Sequence, residues 1–271
     1  MKIADIHAHV FPEKIADKAA ASIGAFYGVP PGLHAGTETL LRLEREAGVT
    51  RCAFSSSATS PTQVEHLNTF LAGEARKHPG AIALGSIYPG MDGFEEELDR
   101  MIALGLRGVK IHADFQRLPI DDPSAISTYR AIAARRLPVL FHMGDARYDF
   151  SSPERLTNLV RQVPELTAIA AHFGGWRAWE RSYAHPQPEG VWYDTSSTLP
   201  LVPRDMVLRM LDRFGPERFL FGTDFPMWRP ADAVREFLAL GLDEKTQEKI
   251  LYGNFMKLFG LRNEEDEACA T

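Results

Sequence analysis

The sequence predicts an α/β protein, a single-domain (β/α)8 TIM barrel. Three observations point there. Eight short apolar, β-branched runs recur along the 271 residues, each followed by a segment of helical character. Strands alternating with helices imply a parallel sheet, and eight such units in a chain of this length imply closure into a barrel. No low-complexity linker or composition break divides the chain. Residues 1–262 therefore read as one domain, and 263–271, NEEDEACAT, as a disordered acidic tail.

The strand candidates are 3–7, 51–56, 81–87, 107–112, 138–142, 166–171, 191–194 and 218–223. After the first comes a Gly/Pro-rich stretch, GAFYGVPPGLHAG at 24–36, which reads as a lid or pocket wall on the active face. Thr37 opens a helix with Leu40, Leu41 and Ala47 inward and Gly48 as its stop. Phe94, Leu98, Met101 and Ile102 form a second apolar stripe that ends at Gly105. Ser152-Pro153 caps a third helix, with Leu156, Leu159, Val160 and Val163 on one face.

A composition of 45% hydrophobic and 24% charged residues supports a large core. The net charge of −6 argues against a broad nucleic-acid-binding surface. No apolar run approaches the roughly 20 residues that cross a bilayer, and no N-terminal leader is evident. Cys52 and Cys269 have no paired spacing, so the expectation is a reducing compartment, the cytoplasm. Cys269 is third from the end, which does not meet the prenylation pattern.

Chemistry gathers at the strand ends. In ADIHAHVFP (4–12), alternation sends Ile3, Asp5, His7 and His9 to one side and Ala4, Ile6 and Ala8 to the other. The small apolar set suits helix packing, and the polar set then faces the barrel interior. Later strands end in GVKIH, LFH, AAH and FGTD, placing Lys110, His112, His142, His172 and Asp224 at the face where barrels keep their active sites. Imidazoles and a carboxylate converging there suit zinc or a similar divalent ion. Such an ion lowers the pKa of a bound water from about 16 toward 7, making hydroxide available at neutral pH. Asp5 is placed to orient a ligating histidine. His142 reads as a ligand, and His172 as either a ligand or a general base. Lys110 points inward and must be distanced or paired near a dication. The expectation is an ion pair with Asp5 or a substrate carboxylate; the alternative is a carboxylated Lys110 bridging two ions.

DIHAHVFP, LFHMGD (140–145), AAHFGGW (170–176), FGTDFPMW (221–228) and ILYGN (250–254) together resemble the amidohydrolase superfamily, and within it the amidohydrolase-related group. That group includes 2-amino-3-carboxymuconate semialdehyde decarboxylase, other aromatic-acid decarboxylases and several lactonases. The resemblance spans essentially the whole chain and implies a metal-dependent hydrolase type of barrel. It implies an ion held by His7, His9, His142 and Asp224, with His172 as acid/base or water-orienting residue. Asn254 of ILYGN is expected to cap the last helix. One zinc ion is expected, or two if Lys110 is carboxylated; His112 and Asp5 are the remaining residues for a second ion or for support. The group often dimerises, which admits a homodimer. The chain lacks a large insertion after strand 3, and GVKIHADFQ differs from the motif of the semialdehyde decarboxylase.

The expected partner is a small molecule bearing a carboxylate. Arg147 is placed to hold that carboxylate and Trp176 to form a flat apolar wall, each close behind a strand-end histidine. The expected reaction is hydrolysis of a lactone, ester or amide, with Asp224 or His172 accepting the water's proton. The alternative is non-oxidative decarboxylation of an aromatic or unsaturated acid in the same site. A catalytically inactive binding barrel is the third reading, and the full ligand set argues against it.

Overall fold

The computed structural model describes residues 1–261 except Pro31 and Ala146. The tail expected at 263–271, with Cys269, lies outside the described residues. Eight parallel strands follow one another around the sheet in chain order: β1 (Ala4–His9), β2 (Arg51–Ser55), β3 (Ala81–Ser86), β4 (Val109–Ile111), β5 (Val139–Phe141), β6 (Ala168–Ala170), β7 (Trp192–Asp194) and β8 (Phe219–Leu220). The ring closes between β1 and the segment after β8. There Ile6 N donates to Phe221 O at 2.9 Å, Asp224 N to His7 O at 2.7 Å, and His9 N to Phe225 O at 2.7 Å.

The α-helices, in chain order, are α1 (Ala16–Tyr27), α2 (Thr37–Glu46), α3 (Val64–Lys77), α4 (Phe94–Ala103), α5 (Ala113–Gln116), α6 (Ile126–Ala134), α7 (Pro153–Gln162), α8 (Trp179–Ala184), α9 (Arg204–Phe214), α10 (Pro230–Leu238), α11 (Glu244–Glu248) and α12 (Asn254–Phe259). Among the described residues, no helix is long and apolar enough to cross a membrane.

Inward positions of neighbouring strands share a layer. Lys110, Leu140 and Ile169 are successive partners across β4, β5 and β6. Leu140 and Ile169 join Ala4, Ile6, Leu84 and Leu220 in the barrel interior, where Tyr252, Phe255, Met256 and Phe259 plug one end. The alternate positions Val109, Ile111, Val139 and Phe141 pack outward with Leu98, Met101, Leu156 and Leu159 of α4 and α7. Phe255 is 1% exposed. Phe255→Ala is expected to cost about 3–5 kcal/mol, visible as a lower denaturation midpoint.

Strand β1 departs from simple alternation. Its register with β2 shifts between Asp5 and Ala8, which marks a bulge. Ala4 and Ile6 consequently face the interior rather than the helices, and Ile3 packs in the outer layer. Asp5 faces outward beside Glu44 of α2. Both His7 and His9 still reach the mouth, because the bulge absorbs the change of phase.

Smaller differences have local causes. Residues 24–27 continue α1 until Gly28, at φ +64°, ends it, so the first part of the expected loop is helix. Ile102 is 44% exposed, which narrows the α4 stripe to Leu98 and Met101. Ser152 occupies the N-cap of α7, but its hydroxyl makes no hydrogen bond among the described residues; Pro153 opens the helix through its fixed φ. Asn254 does not cap α12. Its Nδ2 donates to Phe219 O at 2.6 Å and Pro216 O at 3.0 Å, tying the plug to the start of β8.

Candidate metal centre

Three acceptor atoms converge at the mouth: His7 Nε2, His9 Nε2 and Asp224 Oδ1. They are separated by 3.1 Å (His7–His9), 3.4 Å (His9–Asp224) and 3.6 Å (His7–Asp224). The protons of both rings are assigned by their other nitrogens. His7 Nδ1 lies 2.8 Å from Asp194 Oδ2, which can only accept, so Nδ1 carries the hydrogen and Nε2 a lone pair. His9 Nδ1 faces Ser55 Oγ at 3.4 Å, and that hydroxyl points to Ala8 O. Two lone pairs and a carboxylate oxygen therefore face one another with no proton between them. Atoms bound to a common ion at about 2.1 Å stand about 3.0 Å apart at a right angle and about 3.4 Å apart at the tetrahedral angle. The observed spacings match, so the donor set fits a divalent cation. His7, His172 and Asp194 form a second tight group behind it.

The mouth is held in unusual backbone conformations. His172 (φ 60°), Ser197 (φ 48°), Asp145 (φ 77°) and Asp224 (φ 61°) occupy the left-handed region, which costs a side-chain-bearing residue roughly 1–3 kcal/mol. Asp194 secures two of these turns: its Oδ1 accepts from His172 N at 2.9 Å, Ser196 N at 3.0 Å and Ser196 Oγ at 2.5 Å. Asp5 secures the other side from outside the barrel. Its carboxylate accepts from His7 N at 2.8 Å, Thr223 N at 3.1 Å and Thr223 Oγ1 at 2.5 Å. It therefore supports the backbone that carries His7 and Asp224, and the orienting partner of a ligating imidazole is Asp194. Ser197 Oγ donates to Asp224 Oδ2 and itself accepts from Trp228 Nε1 at 2.8 Å, leaving Oδ1 turned toward the histidines.

A second string of side chains runs beside the triad. His172 Nδ1 donates to Ser196 O at 3.1 Å, so its Nε2 is an acceptor; His142 Nδ1 donates to that Nε2 at 3.1 Å. His142 Nε2 in turn meets Tyr27 Oη at 3.1 Å, and Tyr27 Oη meets His112 Nε2 at 2.9 Å. His112 stacks between Phe115 and His142 at centroid distances of 3.7 and 4.1 Å. His142 is thus placed next to His172 and Tyr27, outside the tight group of His7, His9 and Asp224. Lys110 is inward and fully buried, as alternation predicts. The only hydrogen-bond partner of its Nζ among the described residues is His7 Nε2 at 3.0 Å, and the expected ion pair with Asp5 is absent because Asp5 lies on the outer face.

Burial and the nearby Lys110 push His7 down to about 3, and burial lowers His9, His112 and His142 as well. Burial opposes ionisation of Asp194 and Asp224, yet the surrounding imidazoles hold both well below the usual carboxylate range. Burial brings Lys110 down to about 8. At neutral pH the site is thus neutral imidazoles and ionised carboxylates, the protonation a cation requires. In an unfolded chain histidines protonate near 6.5. Below that pH the unfolded state takes up protons that the folded state refuses, so the stability of metal-free protein falls from about pH 6.5 toward pH 3. Asp5 and Asp114, raised by burial to about 6 and about 7, and Glu44, raised well above its usual value by burial, work in the opposite sense, but the four lowered histidines outnumber them. Thermal midpoints of chelated protein at pH 7.5 and 5 check this, the lower value being expected at pH 5.

Above the triad opens a cavity of about 600 Å³, with His9, His112, His142, His172, Asp224 and Tyr27 in its walls and Trp176 and Trp228 at its sides. Trp176 is therefore placed against the cavity as expected, edge-on to Tyr27 at 4.7 Å. Its backbone runs against Gly144, where a Cβ would lie 2.3 Å from Trp176 N, so only glycine admits this approach. Arg147 is not among the lining residues. Its guanidinium forks onto Asp145, with Nη2 to Oδ2 at 2.7 Å, donates to Phe26 O at 2.7 Å, and packs over the rings of Phe26, Tyr27 and Tyr148. The neighbouring acid two residues earlier claims the side chain.

Sequence reasoning passed over Asp194, Ser196 and Tyr27. Asp194 carried a usable signal, since it ends a predicted strand just as the histidines do. Tyr27 carried none, because only the return of α1 over the mouth brings it in.

A family model described as amidohydrolase matches residues 4–261. No curated protein matches the sequence. Among solved structures, the chain is similar to a dihydroxybenzoic acid decarboxylase from Polaromonas sp. JS666 with bound manganese and the inhibitor 2-nitroresorcinol, at 16% identity, TM-score 0.76 and 98% coverage of both chains. It is also similar to 5-carboxyvanillate decarboxylase from Sphingomonas paucimobilis, at 17% identity and TM-score 0.75, covering 96% of this chain and 99% of that one. A third is a protein described as a 2-pyrone-4,6-dicarboxylic acid hydrolase from Pseudomonas putida, at 19% identity and TM-score 0.70, covering 97% and 98%.

Proposed function

Since the chain belongs to the amidohydrolase family, and so to the enzymes of that superfamily, we propose that it is a metal-dependent hydrolase of a small lactone, ester or amide. The observation that carries this reading is the set of three converging acceptors, His7 Nε2, His9 Nε2 and Asp224 Oδ1, at the floor of a largely apolar cavity.

His7, His9 and Asp224 hold the ion, with His142 a further imidazole on the far side of His172. Nitrogen and carboxylate donors suit zinc, and the manganese of the Polaromonas relative marks the alternative. When bound, the ion supplies an activated water and polarises a carbonyl. The chain supplies the rest. His172 takes a proton at Nε2, which is the acceptor of the ring because Nδ1 donates to Ser196 O, and the hydrogen bond that Nε2 accepts from His142 Nδ1 gives way at that step. Asp194 and Ser196 keep the ring in place while it does so. Asp224, fixed by Ser197, keeps Oδ1 directed at the floor. Tyr27, neutral because burial raises it well above its usual value, offers its hydroxyl to substrate from the α1 side. The proton on His172 then passes to the leaving group. Lys110, alone with His7, acts as a buried amine, and carboxylation remains the route to a second ion. Cys52 is buried and, among the described residues, free; the proposed location is a reducing compartment, the cytoplasm.

Decarboxylation of an aromatic acid is the second reading, and one observation favours it. No lysine or arginine among the described residues lines the cavity, so an entering carboxylate meets its opposite charge only at the ion. Incubating metal-loaded protein with lactones, esters, amides and aromatic acids separates the two. Release of a new acid is expected; carbon dioxide without a hydrolysis product would transfer the assignment to the second reading. One ion per chain and a lower thermal midpoint after chelation are also expected. Less than about half an ion per chain with no change of midpoint would instead indicate a barrel that only binds.

A further inference from the structure

We infer that the cavity selects an uncharged substrate whose body is an apolar ring or chain, and that carboxylate-rich molecules are poor ligands. This deepens the hydrolase reading above and rests on it for the reacting group alone. The wall facing the metal floor is aliphatic and aromatic: Ile23 and Phe26 of α1, Val29 and Pro30 after it, and Leu201 and Met227 opposite. At about 600 Å³ the space is larger than a small ring acid needs, and apart from the floor its polar lining includes the uncharged hydroxyls of Ser22, Ser57 and Thr59.

Three cations around the site are already engaged. Arg147 is forked onto Asp145 and faces Phe26 O. Arg177 lies over the Trp176 ring, with its carbon 4.5 Å from the centroid. Lys110 sits behind His7, fully buried. The charges of Asp224 and Asp194 balance a divalent ion, so the loaded floor is close to neutral before Lys110 is counted. One carboxylate on a substrate would compete for the ion, and a second would lie along Ile23, Phe26 or Leu201 with no lysine or arginine among the described lining residues to pair it. An alkyl chain gains instead, by about fourfold in affinity for each buried methylene.

The test uses 4-alkylphenols of rising chain length with the metal-loaded protein, read by quenching of Trp176 and Trp228 fluorescence. γ-Lactones from γ-butyrolactone to γ-dodecalactone are assayed in parallel for hydrolysis, and 2-pyrone-4,6-dicarboxylate serves as the charged comparison. Affinity and kcat/KM are expected to rise severalfold with each added methylene until the cavity fills, with the dicarboxylate at least tenfold weaker than a neutral compound of similar size. Ile23→Trp should flatten the chain-length series while metal content and thermal midpoint hold. Leu201→Trp provides the same test from the opposite wall should the first variant not fold. A flat series in the native protein, or tighter binding of the dicarboxylate, overturns the inference. Graded alkylphenol binding without hydrolysis of any lactone, ester or amide leaves the inference standing and removes the hydrolase reading. Hydrolysis without chain-length dependence does the reverse.

Discussion

Asp224→Asn is expected to lower turnover by roughly a thousandfold or more while leaving the barrel folded. The substitution preserves shape and removes charge. An asparagine can still accept from Ser197 through its carbonyl, so the local hydrogen bond survives. The loss falls on Oδ1, one of the three acceptors separated by 3.1–3.6 Å. Without that negative charge, a divalent ion would face two neutral imidazoles and the amine of Lys110, 3.0 Å from His7 Nε2. Metal content should therefore fall together with activity, and the two are measured on the same preparation. A variant that keeps its ion and activity within tenfold would remove Asp224 from the centre of the chemistry.

Asp194→Asn gives the second large effect, through a residue that touches no substrate. Asp194 makes Nδ1 of His7 the protonated nitrogen, which leaves Nε2 free for the cation. An asparagine that turns its NH2 toward His7 selects the opposite tautomer and puts a hydrogen where the ion belongs. One that turns it the other way sets that NH2 against the backbone N–H groups of His172 and Ser196. The first orientation blocks the nitrogen that faces the ion, and the second leaves a donor facing donors in a fully buried site. Loss of such orienting partners typically costs 10–100-fold in metal affinity. Competition with a chelator should show this decrease, and excess metal should restore much of the activity of Asp194→Asn but not that of Asp224→Asn. Equal failure of both variants at saturating metal would contradict the assignment of Asp194 as an orienting residue.

The barrel was legible because its signal is periodic. Eight apolar runs with helical spacing between them are repeated many times, and each run reappears as a strand. His7 and His9 were legible because both lie on β1, and Asp224 because it follows the last predicted strand, although it sits four residues past β8 in a left-handed turn. The errors lie where a single residue changes phase or a local partner intervenes. The bulge in β1 turned Asp5 outward, and alternation alone cannot foresee a bulge. Arg147 was taken by Asp145, two residues away, because a neighbour in the chain is always within reach whereas a substrate is not. Tyr27 arrives by the path of α1 after β1, a tertiary event with no counterpart in the local pattern. Asn254 has the composition of a cap, but its amide found the carbonyls of Pro216 and Phe219 first.

The aromatic stopper made by Tyr252, Phe255 and Phe259 seals the barrel opposite the histidines, and Asn254 latches it in place. Among the described residues, that leaves the mouth beside α1 as the doorway to the cavity. Whatever enters past α1 must back out by the same route, so an exiting molecule and its successor contend for a single passage. Inhibition by product, competitive with substrate, is the kinetic mark such an architecture leaves.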